Sequence, residues 1–177
     1  MLRLLLLLPF FFNLVVMPDG DDETFSWGER PLSWADFRGT PPTKIKDHTV
    51  AQASSIILLN SVSHGTEGTR AEIKVVFNPE SSWVLPGYRN PIVLNHEQRH
   101  FDIAEYHARR MRAGLRSHQH INAVFDRISI DCDRMQERYD RETRHGTDLR
   151  EQAIWDHKIG ALLKSMDAYQ STTIWVR

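Results

Sequence analysis

A single cysteine, Cys132, stands among 177 residues, so the chain can form neither an internal disulfide nor a site built from several thiolates. Charge of one sign is missing too. Lys and Arg total 22 against 23 Asp and Glu, for a formal charge of −1, and without a basic excess there is no electrostatic case for a nucleic-acid partner. No internal repeat occurs, and no low-complexity linker follows the first twenty residues. The one long apolar run is shorter than the roughly 20 residues that cross a bilayer as a helix. What remains, 41% hydrophobic and 25% charged residues, suits one globular domain around one core. Nine histidines are a surplus that first points to metal or acid–base chemistry.

The apolar run is Met1 to Met17, with basic Arg3 ahead of it and the acidic turn Pro18-Asp19-Gly20-Asp21-Asp22 behind it. A positive charge, an apolar stretch and then polar sequence is the arrangement of an export signal. Residues 1–20 are therefore expected to be a signal peptide or N-terminal anchor, with residues 2–17 as the candidate membrane attachment. The protein is expected to be exported: periplasmic, secreted or anchored. No small-x-small cleavage site closes the run. Residues 21–177 are expected to form a single domain.

Within that domain the period of the apolar residues changes once. Ala53 to Asn60 and Ala71 to Asn78 read as strands, joined by Ser61 to Arg70 with Gly65 and Gly68; Ser82 to Leu85 is a third apolar piece. Before them, Trp34 and Phe37 belong to an entry segment that packs onto the domain. From Pro91 the spacing becomes helical: Phe101, Ala104, Ala108, Met111 and Leu115 form one stripe. Val124, Ile128, Met135 and Tyr139 form a second, which Gly146 can stop. Ile154, Trp155, Ile159, Leu162 and Leu163 mark a third. Strands first and helices after is an α+β layout.

The chemistry lies in His96-Glu97-Gln98-Arg99-His100, near the start of the first helix. Residues four apart share a helix face, so His96 and His100 can direct two imidazoles at one ion. Glu97 beside them can take a proton from a metal-activated water, and the spacing thus supplies two ligands and a general base. A zinc ion (Zn2+) needs a third protein ligand and keeps a position open for water. His107 is about 10 Å farther along the axis and reads as a packing histidine, while Glu105 points away. If the chain reverses near Ser117 to Ile121, antiparallel packing brings residues 137–145 opposite the motif. Asp140 or His145 then completes the site, ahead of Glu137 and Glu142. His48, His64, His118 and His120 fall in polar, loop-like sequence and read as solvated, and His157 has no evident partner.

Several separate blocks also carry a resemblance. They are Arg30 to Gly39, Ser82-Trp83-Val84, Leu94 to Ala104, and Tyr139-Asp140-x-x-Thr143-x-His145-Gly146 with Gln152 and Trp155. On these the chain resembles the bacterial family called domain of unknown function 922, described as predicted secreted zinc-dependent proteases. The resemblance implies a zincin-like domain, with His96 and His100 as ligands and Glu97 as base. It also joins Asp140, Thr143 and His145 as a unit. In one arrangement Asp140 binds the metal and His145 stabilises the oxyanion of the tetrahedral intermediate; in the other, His145 binds and Asp140 orients it.

Trp34, Phe37, Trp83 and Trp155 read as core or core-edge aromatics. Trp83 also has a claim to function, because zincins offer an edge strand to an extended substrate and this strand precedes the metal helix. The expectation is a zinc-dependent hydrolase, a peptidase of the bacterial envelope or exterior acting on a peptide or protein. The alternative is a non-catalytic envelope protein whose zinc is structural.

Overall fold

The computed structural model describes residues 24–45, 49–63, 68–115 and 121–176. The expected signal or anchor at residues 1–20 lies outside the described residues, as do His48, His64, His118 and His120. The fold is α+β, with antiparallel strands followed by three helices. The strands are β1 (Phe25–Ser26), β2 (Ala51–Gln52), β3 (Ser55–Ser63), β4 (Thr69–Phe77), β5 (Trp83–Val84) and β6 (Thr173–Val176); the helices are α1 (Pro91–Gly114), α2 (Ile121–Thr143) and α3 (Leu149–Ser165). Among the described residues no helix is long and apolar enough to cross a membrane.

β4 shows why the sheet forms. Ala71, Ile73, Val75 and Phe77 alternate inward and are fully buried, while Glu72 and Lys74 stay at the surface. β4 pairs antiparallel with β3 along its length, and on its other edge with β1 and β6. β6 was not foreseen: a four-residue strand after the last helix has too few residues to display a period. β3 begins at Ser55 rather than Ala53, because the chain first makes the short β2–β5 pair and then turns into the main sheet.

The sheet packs on α1 through an aromatic cluster, in which the Phe77 and Phe101 rings lie 5.7 Å apart and Phe25 and Phe37 close on Phe77 at 5.3 and 5.6 Å. The whole stripe foreseen for α1 is buried, from Phe101 to Leu115. Asn90 caps this helix, accepting the N–H groups of Ile92 and Val93, and Pro91 occupies the first turn, where no donor is needed. On α3 the stripe differs from expectation at one place. Trp155 and Ile159 are buried but Ile154 is half exposed to solvent, since the residue beside Trp155 is turned about 100° away from it.

The entry segment is fastened to α1 next to the motif. Arg30 grips Asp36 with two bonds of 2.6 and 2.8 Å, and the Leu32 N–H donates to Gln98 at 2.8 Å. Gly39 follows because its backbone lies against the turn that precedes β5: a Cβ there would meet the Glu80 carbonyl oxygen at 2.5 Å. Farther along α1, Glu105 is buried and bound by Arg109 and Arg112, whose guanidinium groups reach carbonyls of residues 163, 169 and 170. That pairing fixes the chain beyond α3 and takes Glu105 out of the site.

Phe77→Ala is expected to cost about 3–5 kcal/mol through the cavity it leaves in this cluster. Val62→Ser, on the outer face of the sheet, is expected to stay within about 0.5 kcal/mol. Urea unfolding of the two variants measures both, and equal losses would mean that the core lies elsewhere.

Candidate metal centre

α1 and α2 form an antiparallel hairpin, so residues near the start of α1 face residues near the end of α2. His96 and His100 thereby meet Asp140. The His96 Nε2 and His100 Nε2 atoms are 3.2 Å apart, and Asp140 Oδ1 lies 3.1 Å from the first and 2.9 Å from the second. His145 approaches from just beyond α2, its Nδ1 atom 3.5 Å from the same Asp140 oxygen. His96, Asp140 and His145 present ligand atoms within 4.8 Å of one another and form a group able to hold a metal ion.

The imidazoles are oriented by two glutamines. Gln136, four residues before Asp140, donates from Nε2 to the His100 carbonyl at 2.9 Å, and that oxygen can only accept. Its Oε1 must then face His100 Nδ1, 2.6 Å away, which is the donor. Gln152 of α3 donates to Asp156 Oδ1 at 2.8 Å and to the Tyr139 hydroxyl at 2.7 Å, so its Oε1 receives His96 Nδ1–H at 3.1 Å. With both Nδ1 atoms donating, the two Nε2 atoms point together at a carboxylate oxygen. Three such atoms repel unless a cation or proton lies among them.

The donor set fits a metal. Bonds of 2.0–2.1 Å in a tetrahedron place neighbouring ligand atoms about 3.3 Å apart, close to the 2.9–3.2 Å separations found here. Two nitrogens and one oxygen are the donors of a zinc site that keeps a position for water, and the outer ring nitrogens are bound as such ligands require.

Glu97 is buried and shares the cavity with these residues. Burial raises its pKa against the pull of His100 and His96, and its Oε2 accepts the Ala53 N–H at 2.6 Å. Burial also works against the charged form of His100, but the bond and charge of Asp140, with the charge of Glu97, hold its pKa up at about 9. Asp140 is half-buried, and although desolvation works to raise its pKa, hydrogen bonds from His100 and His96 keep its carboxyl well below the usual range. Tyr139 lies flat on the His96 ring, 4.6 Å between centroids and 19° between planes.

The cavity over the site has a volume of about 570 Å³. One wall is the backbone run 49–57, the floor is α1 from His96 to Ala104, and the other wall is the α2 face bearing Phe125, Ser129, Cys132, Gln136 and Asp140. Of the expected site residues, His96, Glu97, His100, Asp140 and His145 all come together there. Trp83 does not: it is buried in the packing and is absent from the cavity lining. The strand beside the cavity is instead the run into β3. Glu137 points to solvent, Glu142 binds Arg138 and the Trp155 indole, and His107 is buried with its Nδ1–H on the Ile103 carbonyl. His157 is exposed. Sequence reasoning missed Gln136 and Ala53. The first carries a readable signal, an amide one turn before Asp140; the second acts through its backbone and carries none.

Residues 91–146 match the sequence model of a family described as bacterial protein of unknown function (DUF922). This segment is of the DUF922 family. The match begins at the first residue of α1 and ends at Gly146, so it takes in every candidate ligand and Glu97. No curated protein and no solved structure matches the chain. Gln152 and the blocks at Arg30 to Gly39 and Ser82 to Val84 lie outside the DUF922 segment.

Because His100 keeps a proton up to about pH 9 in the metal-free protein, a metal binding at neutral pH must displace it. Zinc binding is therefore expected to release a proton, and its apparent affinity to rise about tenfold per pH unit until about pH 9. Titration calorimetry in buffers of different ionisation heat checks this. An affinity unchanged between about pH 6 and 8 would show that no such proton is displaced.

Proposed function

We propose that the cavity is the active site of a zinc-dependent hydrolase acting on a peptide or protein. The observation that carries the reading is the pair Gln136 and Gln152, which fixes both Nδ1 atoms as donors and turns the two Nε2 atoms onto Asp140, next to a buried glutamate. His96, His100 and Asp140 would hold the ion. When bound, zinc supplies a Lewis acid that lowers the pKa of water toward 7 and polarises a carbonyl.

The chain's own groups supply the rest. Glu97, kept in place by the Ala53 N–H, accepts a proton from the attacking water and returns it to the leaving nitrogen. Burial, which raises its pKa, makes it a stronger proton acceptor than an ordinary carboxylate. His145, partly exposed on its turn, donates to the carbonyl oxygen as negative charge develops. Among the described residues nothing pairs with the edge of β3 away from β4, and Ser55 to Ile57 line the cavity. An extended substrate can add there as a strand.

Strands first, then a helix with His96-Glu97-x-x-His100, then a helix offering a third ligand is the order of a zincin, and we read the domain as zincin-like. The apolar run Met1 to Met17 would place the activity at the envelope or outside it. A structural zinc site is the second reading, favoured by His145, which lies close enough to close the coordination as a fourth ligand.

The parent is expected to hold about one zinc per chain and His96→Ala none. Glu97→Gln should keep the zinc and lose at least about 100-fold in hydrolysis of a fluorogenic peptide library. An active Glu97→Gln variant would overturn the proposal. Loss of thermal stability on chelation, with no hydrolysis by the parent, would establish the structural site instead.

A further inference from the structure

α2 ends in an unusual way. Arg144, His145 and Gly146 have φ values of 51°, 53° and 77°, three left-handed residues in a row. Stopping a helix needs one such residue, usually glycine, and two of these carry side chains that disfavour the conformation. The backbone is held there by hydrogen bonds: the His145 N–H donates to the Asp140 carbonyl and the Asp148 N–H to that of Thr143, each at 2.9 Å.

The turn serves His96. A Cβ on Gly146 would lie 2.9 Å from both Cβ and Cγ of His96 and 3.2 Å from its Nδ1, so the bare glycine backbone rests against that ring. Tyr139 covers the ring as described above. The fully buried Thr143 joins the two: its hydroxyl donates to the Tyr139 carbonyl at 2.7 Å and accepts the Gly146 N–H at 3.3 Å. One hydroxyl thus ties together the two groups that confine the His96 imidazole.

We propose that Thr143 and Gly146 are positioning residues for the metal centre, fixing the His96 ring against Tyr139 and carrying His145 to the edge of the site. The inference rests on the metal-binding reading above. A helix stop alone would not need the threonine hydroxyl, and would not need glycine in contact with an imidazole.

Zinc affinity, by competition with a chromophoric chelator, and the visible absorption of the cobalt-substituted protein test it on the full chain. Thr143→Val keeps the shape and removes both hydrogen bonds; it is expected to weaken zinc binding at least about tenfold and to alter the cobalt spectrum. Thr143→Ser should restore both. Gly146→Ala should act in the same direction. Gly28→Ala, at φ 92° with nothing near its Cβ, supplies the backbone effect alone and should lower stability without touching affinity. Should Gly146→Ala fail to fold, the Thr143 pair decides. Parental affinity and spectrum in folded Thr143→Val would overturn this inference alone, whereas a parent that binds no metal would overturn the metal-binding reading and this inference with it.

Discussion

Two imidazole Nε2 atoms and a carboxylate oxygen are held within 3.2 Å of one another, and such a site accepts that only with a proton or a cation among them. The surrounding structure is arranged to impose this meeting. The hairpin of α1 and α2 brings the partners together from positions forty residues apart, and the sheet presses on the far face of α1. α3 contributes no ligand, yet its Gln152 and Asp156 fix the outer side of His96 and the start of α1. Asp156 accepts from Asn95, Arg99 and Gln152 at once, so one carboxylate couples α3 to the helix that carries the motif.

The site is graded in its contact with water. His96 is almost wholly buried, His100 less so, and Asp140 and His145 face the cavity. The buried end has its hydrogen-bond partners built in and can hardly move, while the outer end is free to meet an incoming group. A centre that only stapled two helices together would have little use for that gradient or for a buried carboxylate at its side. Both suit the catalytic reading proposed above, in which the site keeps its ligands rigid and still admits a substrate.

Much of this was legible in the residues because helices advertise themselves. The α1 stripe predicted its buried face, and a chain reversal followed by equal counting on both sides placed Asp140 and His145 opposite His96 and His100. Ala53 was out of reach because its contribution is a backbone N–H, which any residue but proline supplies. Trp83 misled for a different reason. An aromatic on a strand next to the motif in sequence need not be next to it in space, and the β2–β5 pairing turns this one into the packing. β6 escaped because four residues after a helix show no period; its partner register on β4 is a tertiary fact. The DUF922 segment covers the candidate ligands but stops before Gln152, so the orientation of His96 depends on a residue outside it.

The open edge of β3 has a consequence beyond recognition. A row of backbone donors and acceptors is indifferent to the origin of the strand that fills it, and a second copy of the same chain presents equally suitable groups. Ile56 and Val62 stand exposed along that strand, with polar Asn60 and Ser61 between them. Crowded together, second copies would compete with the proposed substrate for one vacant register. A strand edge proposed to receive a substrate would therefore also favour self-association as the solution grows more concentrated.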